Sequence, residues 1–204
     1  MPQPKVLILI NPVAGPTRPK AEGWEWLEAM FADAGFQTEI RLTQAPGEAR
    51  RLAAEAVAAG VERILVVGGD GTLNEVVQAI AHTRTVLGII PAGTVNVLAN
   101  EFGIPTDYQA AARIAVGGDC VSIDLGRANG RYFTMMLGIG YDAMVTYAMW
   151  PMLKKIAGQL AYVASGVQNF FTHRASRLRL RIDGGRRLRR LGYLLVVSNT
   201  RLYG

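Results

Sequence analysis

The sequence predicts an α/β protein: a doubly wound parallel sheet in the first part, then a mostly β, sandwich-like second part that looks truncated. Three observations predict it. Strand-like and helix-like segments alternate from residue 6 to about residue 118, the pattern of a parallel sheet with crossover helices. Glycine-bearing loops end three of those strands. After Gly117-Gly118 the alternation stops and short strand candidates follow. A boundary near Gly118 is therefore expected, with domains at 1–118 and 119–204.

Val6-Leu7-Ile8-Leu9-Ile10 is a continuous branched run, as expected of a strand buried on both faces, and Asn11-Pro12-Val13-Ala14-Gly15 ends it. Trp24, Leu27, Met30, Phe31 and Ala34 recur at helical steps, and Gly35 closes that helix. Residues 36–42 alternate Phe36, Thr38, Ile40 and Leu42 with Gln37, Glu39 and Arg41, as a strand does, and residues 43–47 form a loop. Residues 48–59 are an Ala-rich helix stopped by Gly60. Ile64-Leu65-Val66-Val67 is another buried strand, running into Gly68-Gly69-Asp70-Gly71-Thr72. Leu73, Val76, Val77, Ile80 and Ala81 then fall on one side of a helix. Thr72 and Glu75 have capping-box spacing, which sets the helix start at Thr72. Residues 86–90 are a buried strand ended by Pro91-Ala92-Gly93-Thr94, and helices are expected over 95–102 and 106–116.

In the second part, residues 121–125, 131–137, 178–182 and 191–197 are strand candidates, and Asp183-Gly184-Gly185 is a hairpin signal. Residues 141–173 are apolar and partly helical, suiting a core or the wall of an acyl-chain groove. Leu194-Leu195-Val196-Val197-Ser198-Asn199 reads as a buried strand with five residues after it. A β domain seldom stops there, so a truncated chain is expected.

Composition narrows the classes. The 204 residues are half hydrophobic, enough for a sizeable core. The single Cys120 excludes a disulfide framework and a Cys-based zinc site. His82 and His173 lack ligand spacing and read as surface residues. No secretory pattern opens the sequence, and no apolar run reaches the roughly 18–20 residues that span a bilayer. A cytoplasmic protein, peripherally associated with membrane, is expected. The net charge of +6 is concentrated: eight of 22 basic residues, but only Asp183 of 16 acids, lie between Arg174 and Arg190. Arg177, Arg179 and Arg181 alternate with Leu178, Leu180 and Ile182, giving a strand with an arginine face. That face is either solvated or meets an anionic membrane; a nucleic-acid role ranks last.

The glycine loops carry the chemistry. Gly68 to Thr72 joins a strand to a helix whose first N–H groups have no internal partner, the arrangement that holds phosphate. Asp70 has no obvious structural purpose there. A carboxylate beside phosphate is repelled unless a cation intervenes, so it points to Mg²⁺, directly or through water. The loop lacks the P-loop lysine and the third dinucleotide-fingerprint glycine. In the loop from Pro91, Gly93, Thr94 and Asn96 are candidates for phosphate or nucleoside contact. Asn11, Gly15 and Thr43 would share its rim if the strands are parallel. Asp124 and Asp142 are carboxylates in apolar company, candidates for base or metal partner.

Asn11-Pro12-x-x-Gly15, Gly68-Gly69-Asp70-Gly71-Thr72 with Asn74-Glu75, Pro91-x-Gly93-Thr94-x-Asn96, Asp124-Leu125-Gly126 and Gly138-x-Gly140-x-Asp142 occur in order. This succession resembles the diacylglycerol kinase catalytic domain family, which includes bacterial lipid kinases and the sphingosine and ceramide kinases. The GGDGT string alone is shared with NAD kinases and, more loosely, phosphofructokinases. The resemblance implies an α/β nucleotide domain and a β-rich lipid-substrate domain, with the active site in the cleft between them. It implies ATP contacts at Asn11, Thr43, Gly68 to Asn74 and Thr94, and makes Asp70 part of the ATP and Mg²⁺ site. Gly15, Glu75, Gly93 and Asn96 belong to the same motifs, and Asp124 is a second metal candidate. Asp142 matches the alcohol-activating aspartate of the sphingosine kinases, whereas bacterial members use an acid near a later D-G-x-x-D string that this sequence lacks. Val97 stands where many members carry an acid.

The expected activity is ATP-dependent phosphorylation of diacylglycerol or a related lipid, at an anionic membrane and without nucleic acid, with a homodimer as a further expectation. The alternatives are an NAD-kinase-like small-molecule kinase and a non-catalytic nucleotide- or lipid-binding module. Asp70→Ala is expected to abolish turnover with little loss of stability.

Overall fold

The computed structural model describes residues 3–15, 23–141, 143 and 175–201. Four strands, β1 (Lys5–Ile10), β2 (Gln37–Leu42), β3 (Arg63–Gly68) and β4 (Val86–Pro91), form one parallel sheet in the order β2-β1-β3-β4. The connections carry α1 (Glu25–Asp33), α2 (Glu48–Ala58) and α3 (Asp70–Ile80), and β4 is followed by α4 (Val97–Glu101) and α5 (Tyr108–Gly117).

The period of two along each strand sorts the core into two layers. Val6, Ile8, Ile10, Leu65 and Val67 face Leu27 and Phe31 of α1 and the small Ala111, Ala112 and Ala115 of α5. Leu7, Leu9, Ile64 and Val66 face Ala49, Leu52 and Ala53 of α2 and Leu73 and Val76 of α3. The continuous apolar runs of β1 and β3 are thus buried on both sides, as their sequences require. Edge strand β2 alternates exposed and half-buried residues.

The helix ends are held by specific contacts. Asp107 caps α5, its carboxylate accepting the Ala110 N–H at 2.8 Å. At the other end the Arg63 guanidinium donates to the carbonyls of Ala115 and Val116 and lies 5.2 Å over the Phe36 ring. Arg63→Ala leaves two terminal carbonyls without this partner and removes the cation–π contact. A loss of about 1–3 kcal/mol is expected, read as a lower urea midpoint at unchanged slope. Lysine cannot fork across two carbonyls and should recover only part.

One helix start differs from expectation. The run α3 begins at Asp70, with Gly69 extended at its N-cap and no side chain capping it. The capping box does not form, because both of its side chains are engaged elsewhere. Thr72 Oγ1 accepts from Asn11 Nδ2 at 2.9 Å, and Glu75 Oε1 accepts the Gly47 N–H at 2.8 Å.

The later strands are shorter than expected. Residues 121–125 form no strand. Residues 131–137 break at Thr134-Met135 into β6 (Arg131–Phe133) and the start of β7 (Met136–Gly140), and β6 pairs with β5 (Gly126–Ala128) across Asn129-Gly130. Residues 191–197 break at Tyr193, between β9 (Leu188–Gly192) and β10 (Leu194–Ser198). Strand β10 pairs antiparallel with β7, and β9 with β8 (Ser176–Leu180). The expected buried core strand is open: Leu194 and Val197 are 49% and 44% exposed. Most of the apolar stretch 141–173 lies outside the described residues.

By compactness the chain divides into Met1–Met135 with Asn199–Gly204, and Met136–Ser198. Asn199 secures the return to the first unit. Its side-chain amide donates to the Asp124 and Thr134 carbonyls at 2.7 and 3.0 Å, and its N–H to the Met135 carbonyl at 2.7 Å. No helix among the described residues is long and apolar enough to cross a membrane.

Candidate functional site

Because β1 to β4 are parallel, the residues that follow them share one rim: Asn11, Thr43, Gly69 and Ala92. From β1 the chain passes outward to β2 and then crosses to β3 on the other side. The crevice between the ends of β1 and β3 is where open α/β sheets take ligands.

Asn11 spans that crevice. Its Nδ2 donates to Thr72, its Oδ1 accepts the Val13 N–H at 3.1 Å, and its own N–H donates to the Val67 carbonyl. Thr43 is buried beside it, with its N–H on the Ile10 carbonyl. Two carboxylates shape the loop after Thr43. Glu48 accepts the Gln44 N–H at 2.6 Å, and Glu75 accepts that of Gly47. The Gln44 N–H, and then Arg51, hold the Glu48 carboxyl below its ordinary value.

The β3 and β4 loops touch backbone to backbone. A Cβ on Gly93 would lie 2.6 Å from Gly69 Cα, and one on Gly69 would lie 3.0 Å from Gly93 Cα. Gly15, at φ +57°, presses on the Ala92 carbonyl in the same way. Asn96 closes the β4 loop from a left-handed conformation (φ 53°) that asparagine tolerates. Its Oδ1 accepts the Gly93 N–H at 2.8 Å, and its Nδ2 donates to the Gly93 carbonyl at 2.9 Å. The Asn96 amide is thus spent on the turn, while Thr94 stands exposed at the tip.

Asp70 has the structural purpose that its sequence context hides. One carboxylate oxygen accepts the Val97 N–H at 3.1 Å and the other the Leu98 N–H at 3.2 Å. It caps α4 from 27 residues away and latches the β3 loop to the β4 loop. Those N–H groups also offset its charge, so a cation is no longer the only way to seat a carboxylate here.

Direct contacts therefore connect Asn11 with Thr72, and Gly93 with Gly15, Gly69 and Asn96, while Asp70 joins the β3 loop to the start of α4. Gly68 packs on Thr72, whereas a Cβ on Gly71 would meet nothing within 4 Å. Asn74 Oδ1 is buried without a hydrogen-bond partner. Asp124 is exposed, its carbonyl held by Asn199. Asp142 lies outside the described residues. Among the described residues no three His, Cys, Asp or Glu side chains gather as a metal cluster. Sequence reading missed the amides of Val97 and Leu98 as the partners of Asp70. A groove of about 650 Å³ runs beside β4, lined by residues such as Leu87, Leu98, Phe102 and Ile123, and no glycine-loop residue borders it.

Residues 5–128 match the family model described as the diacylglycerol kinase catalytic domain. The chain is 36% identical over 180 residues to a diacylglycerol kinase of Bacillus subtilis (strain 168), covering 87% of this chain and 59% of that protein. It is 35% identical over 179 residues to one of Staphylococcus aureus (strain bovine RF122 / ET3-1), covering 87% and 56%. Among solved structures, a diacylglycerol kinase from Bacillus anthracis str. Sterne superposes with a TM-score of 0.71 at 26% identity, covering 99% of this chain and 66% of that one. The chain thus spans less than two thirds of the length of these relatives.

Proposed function

The chain belongs to the diacylglycerol kinase catalytic domain family, and we propose that it transfers the γ-phosphate of ATP to the hydroxyl of diacylglycerol or a related lipid. One observation supports this most: the uncapped start of α3 opens on the rim shared with Asn11, Thr43 and Thr94, at the reversal of strand order. The N–H groups of Asp70, Gly71 and Thr72 offer three donors at the positive end of an 11-residue helix. The open space at Gly71 leaves room for phosphate oxygens. The unmet Asn74 oxygen suits a donor such as a ribose hydroxyl or a metal-bound water.

Both Asp70 oxygens already accept N–H groups, so Asp70 would help hold Mg²⁺ through its charge rather than as a bare ligand. Bound there, the ion would neutralise charge on the transferred phosphoryl group. In the transfer, the lipid hydroxyl oxygen bonds to the γ-phosphorus and the bond to the β–γ bridging oxygen breaks. ADP leaves, and the hydroxyl proton passes to a carboxylate, a role we propose for Asp142 on its motif. With a lipid acceptor and ATP as its substrates, we propose that the protein works at the cytoplasmic face of a membrane.

The test incubates the full chain and radiolabelled ATP with either a diacylglycerol-containing lipid extract or NAD. Label in chloroform-soluble phospholipid is the expected result. Label in NADP alone would reassign the enzyme to a small-molecule kinase. Nucleotide binding with transfer to neither acceptor would leave a binding module and reject the kinase reading.

A further inference from the structure

The structure assigns the arginine face of the β8–β9 hairpin as a docking surface for anionic lipid. Directly opposed residues of an antiparallel pair share a face. The register pairs Arg177 with Leu191 and Arg179 with Arg189, putting three arginines and one leucine on one side. Leu178, Leu180 and Leu188 lie on the other side and are more covered, with one exposed arginine, Arg190, opposite Leu178. Two like charges directly opposed weaken a hairpin, so the Arg179–Arg189 pair is a local cost. No carboxylate offsets it: among the described residues none of these arginines makes an ion pair, and Asp183 is the only acid between Ser176 and Ser198. An external anion would relieve the repulsion.

The apolar residues decide which anion. Leu191 is 71% exposed among the arginines, and Ile182, at the turn, is 64% exposed. Bare aliphatic side chains gain nothing from a nucleic-acid backbone, but they gain from the boundary between headgroups and acyl chains. The proposal rests on the lipid-kinase reading only for the reason a membrane would be visited.

The full chain is sedimented with vesicles of phosphatidylcholine alone and of phosphatidylcholine mixed with phosphatidylglycerol. Binding to the mixed vesicles only, weakening as salt rises, is the expected result. Arg179→Gln with Arg189→Gln should lower that binding about fivefold per arginine. Leu191→Ser should reduce the part that survives high salt. The glutamine variants relieve repulsion, so an unchanged or higher melting temperature certifies their fold. Equal binding to both vesicles, or unchanged binding by the double variant, would overturn the assignment. So would double-stranded DNA that competes the protein off the vesicles at matched salt. Phosphorylation of a short-chain diacylglycerol dispersed in neutral detergent is measured in parallel. If the wild type fails there but binds mixed vesicles, the kinase reading falls and the docking surface stands.

Discussion

Gly93→Ala is expected to abolish the proposed nucleotide binding and to lower stability by about 2–3 kcal/mol. The new methyl would lie 2.6 Å from Gly69 Cα and 2.7 Å from Asn96 Oδ1. Neither neighbour can swing aside. One is backbone, and the other is an amide bonded twice to Gly93 itself. The loops can only separate, and separation pulls Asp70 from Val97 and Leu98. Gly93 is not at positive φ, so the effect comes from contact rather than backbone conformation. Gly71→Ala is the contrast. Its methyl meets no protein atom, and alanine in a helix gains about 0.5–1 kcal/mol over glycine. That variant should be as stable as the wild type or more so, yet bind nucleotide more weakly, because its methyl enters the space assigned to phosphate. Urea midpoints and a titration with a fluorescent ATP analogue separate the two glycines. Normal nucleotide affinity in Gly71→Ala would remove that space from the phosphate site.

The parallel sheet was legible because its strands are buried on both faces. Val6 to Ile10 and Ile64 to Val67 have no alternative to continuous apolar sequence, and the glycines at their ends mark the rim. What decides the site is long-range and left less trace. Thr72 and Glu75 have the spacing of a capping box, but Asn11 and the Gly47 amide take their side chains. Asp70 has no visible purpose in the sequence because its partners are backbone N–H groups, which carry no residue signature. In the second half, apolar runs read as unbroken strands, whereas the chain breaks them at Thr134-Met135 and at Tyr193. The run Val121 to Leu125 has β propensity, but strands need partners, and propensity names none. The hairpin at Asn129-Gly130 did carry its signal: both residues are at positive φ (48° and 83°), the requirement of a type I′ turn.

Asp70→Ala and Asp70→Asn should part company, and they test whether the latch is the whole role of this residue. Alanine loses both charge-assisted bonds to the start of α4, one at each carboxylate oxygen. For a half-buried cap, about 1–2 kcal/mol is the expected cost, so stability falls together with turnover, contrary to the expectation from sequence. Asparagine keeps one acceptor for one of the two N–H groups and should retain about half of that stabilisation. It has no charge with which to hold a hydrated Mg²⁺ against the phosphates. If Asp70 serves the ion, Asp70→Asn keeps much of its stability and its metal-free nucleotide affinity, while kcat falls about a hundredfold or more. If Asp70 is only a latch, the loss of kcat tracks the loss of stability, and a second substitution that restores stability restores turnover. Urea midpoints set beside kcat at saturating Mg²⁺ decide between the two. A large kcat deficit in a well-folded asparagine variant is the expected outcome. It would mean that one carboxylate aligns the two loops through its hydrogen bonds and steadies the metal through its charge.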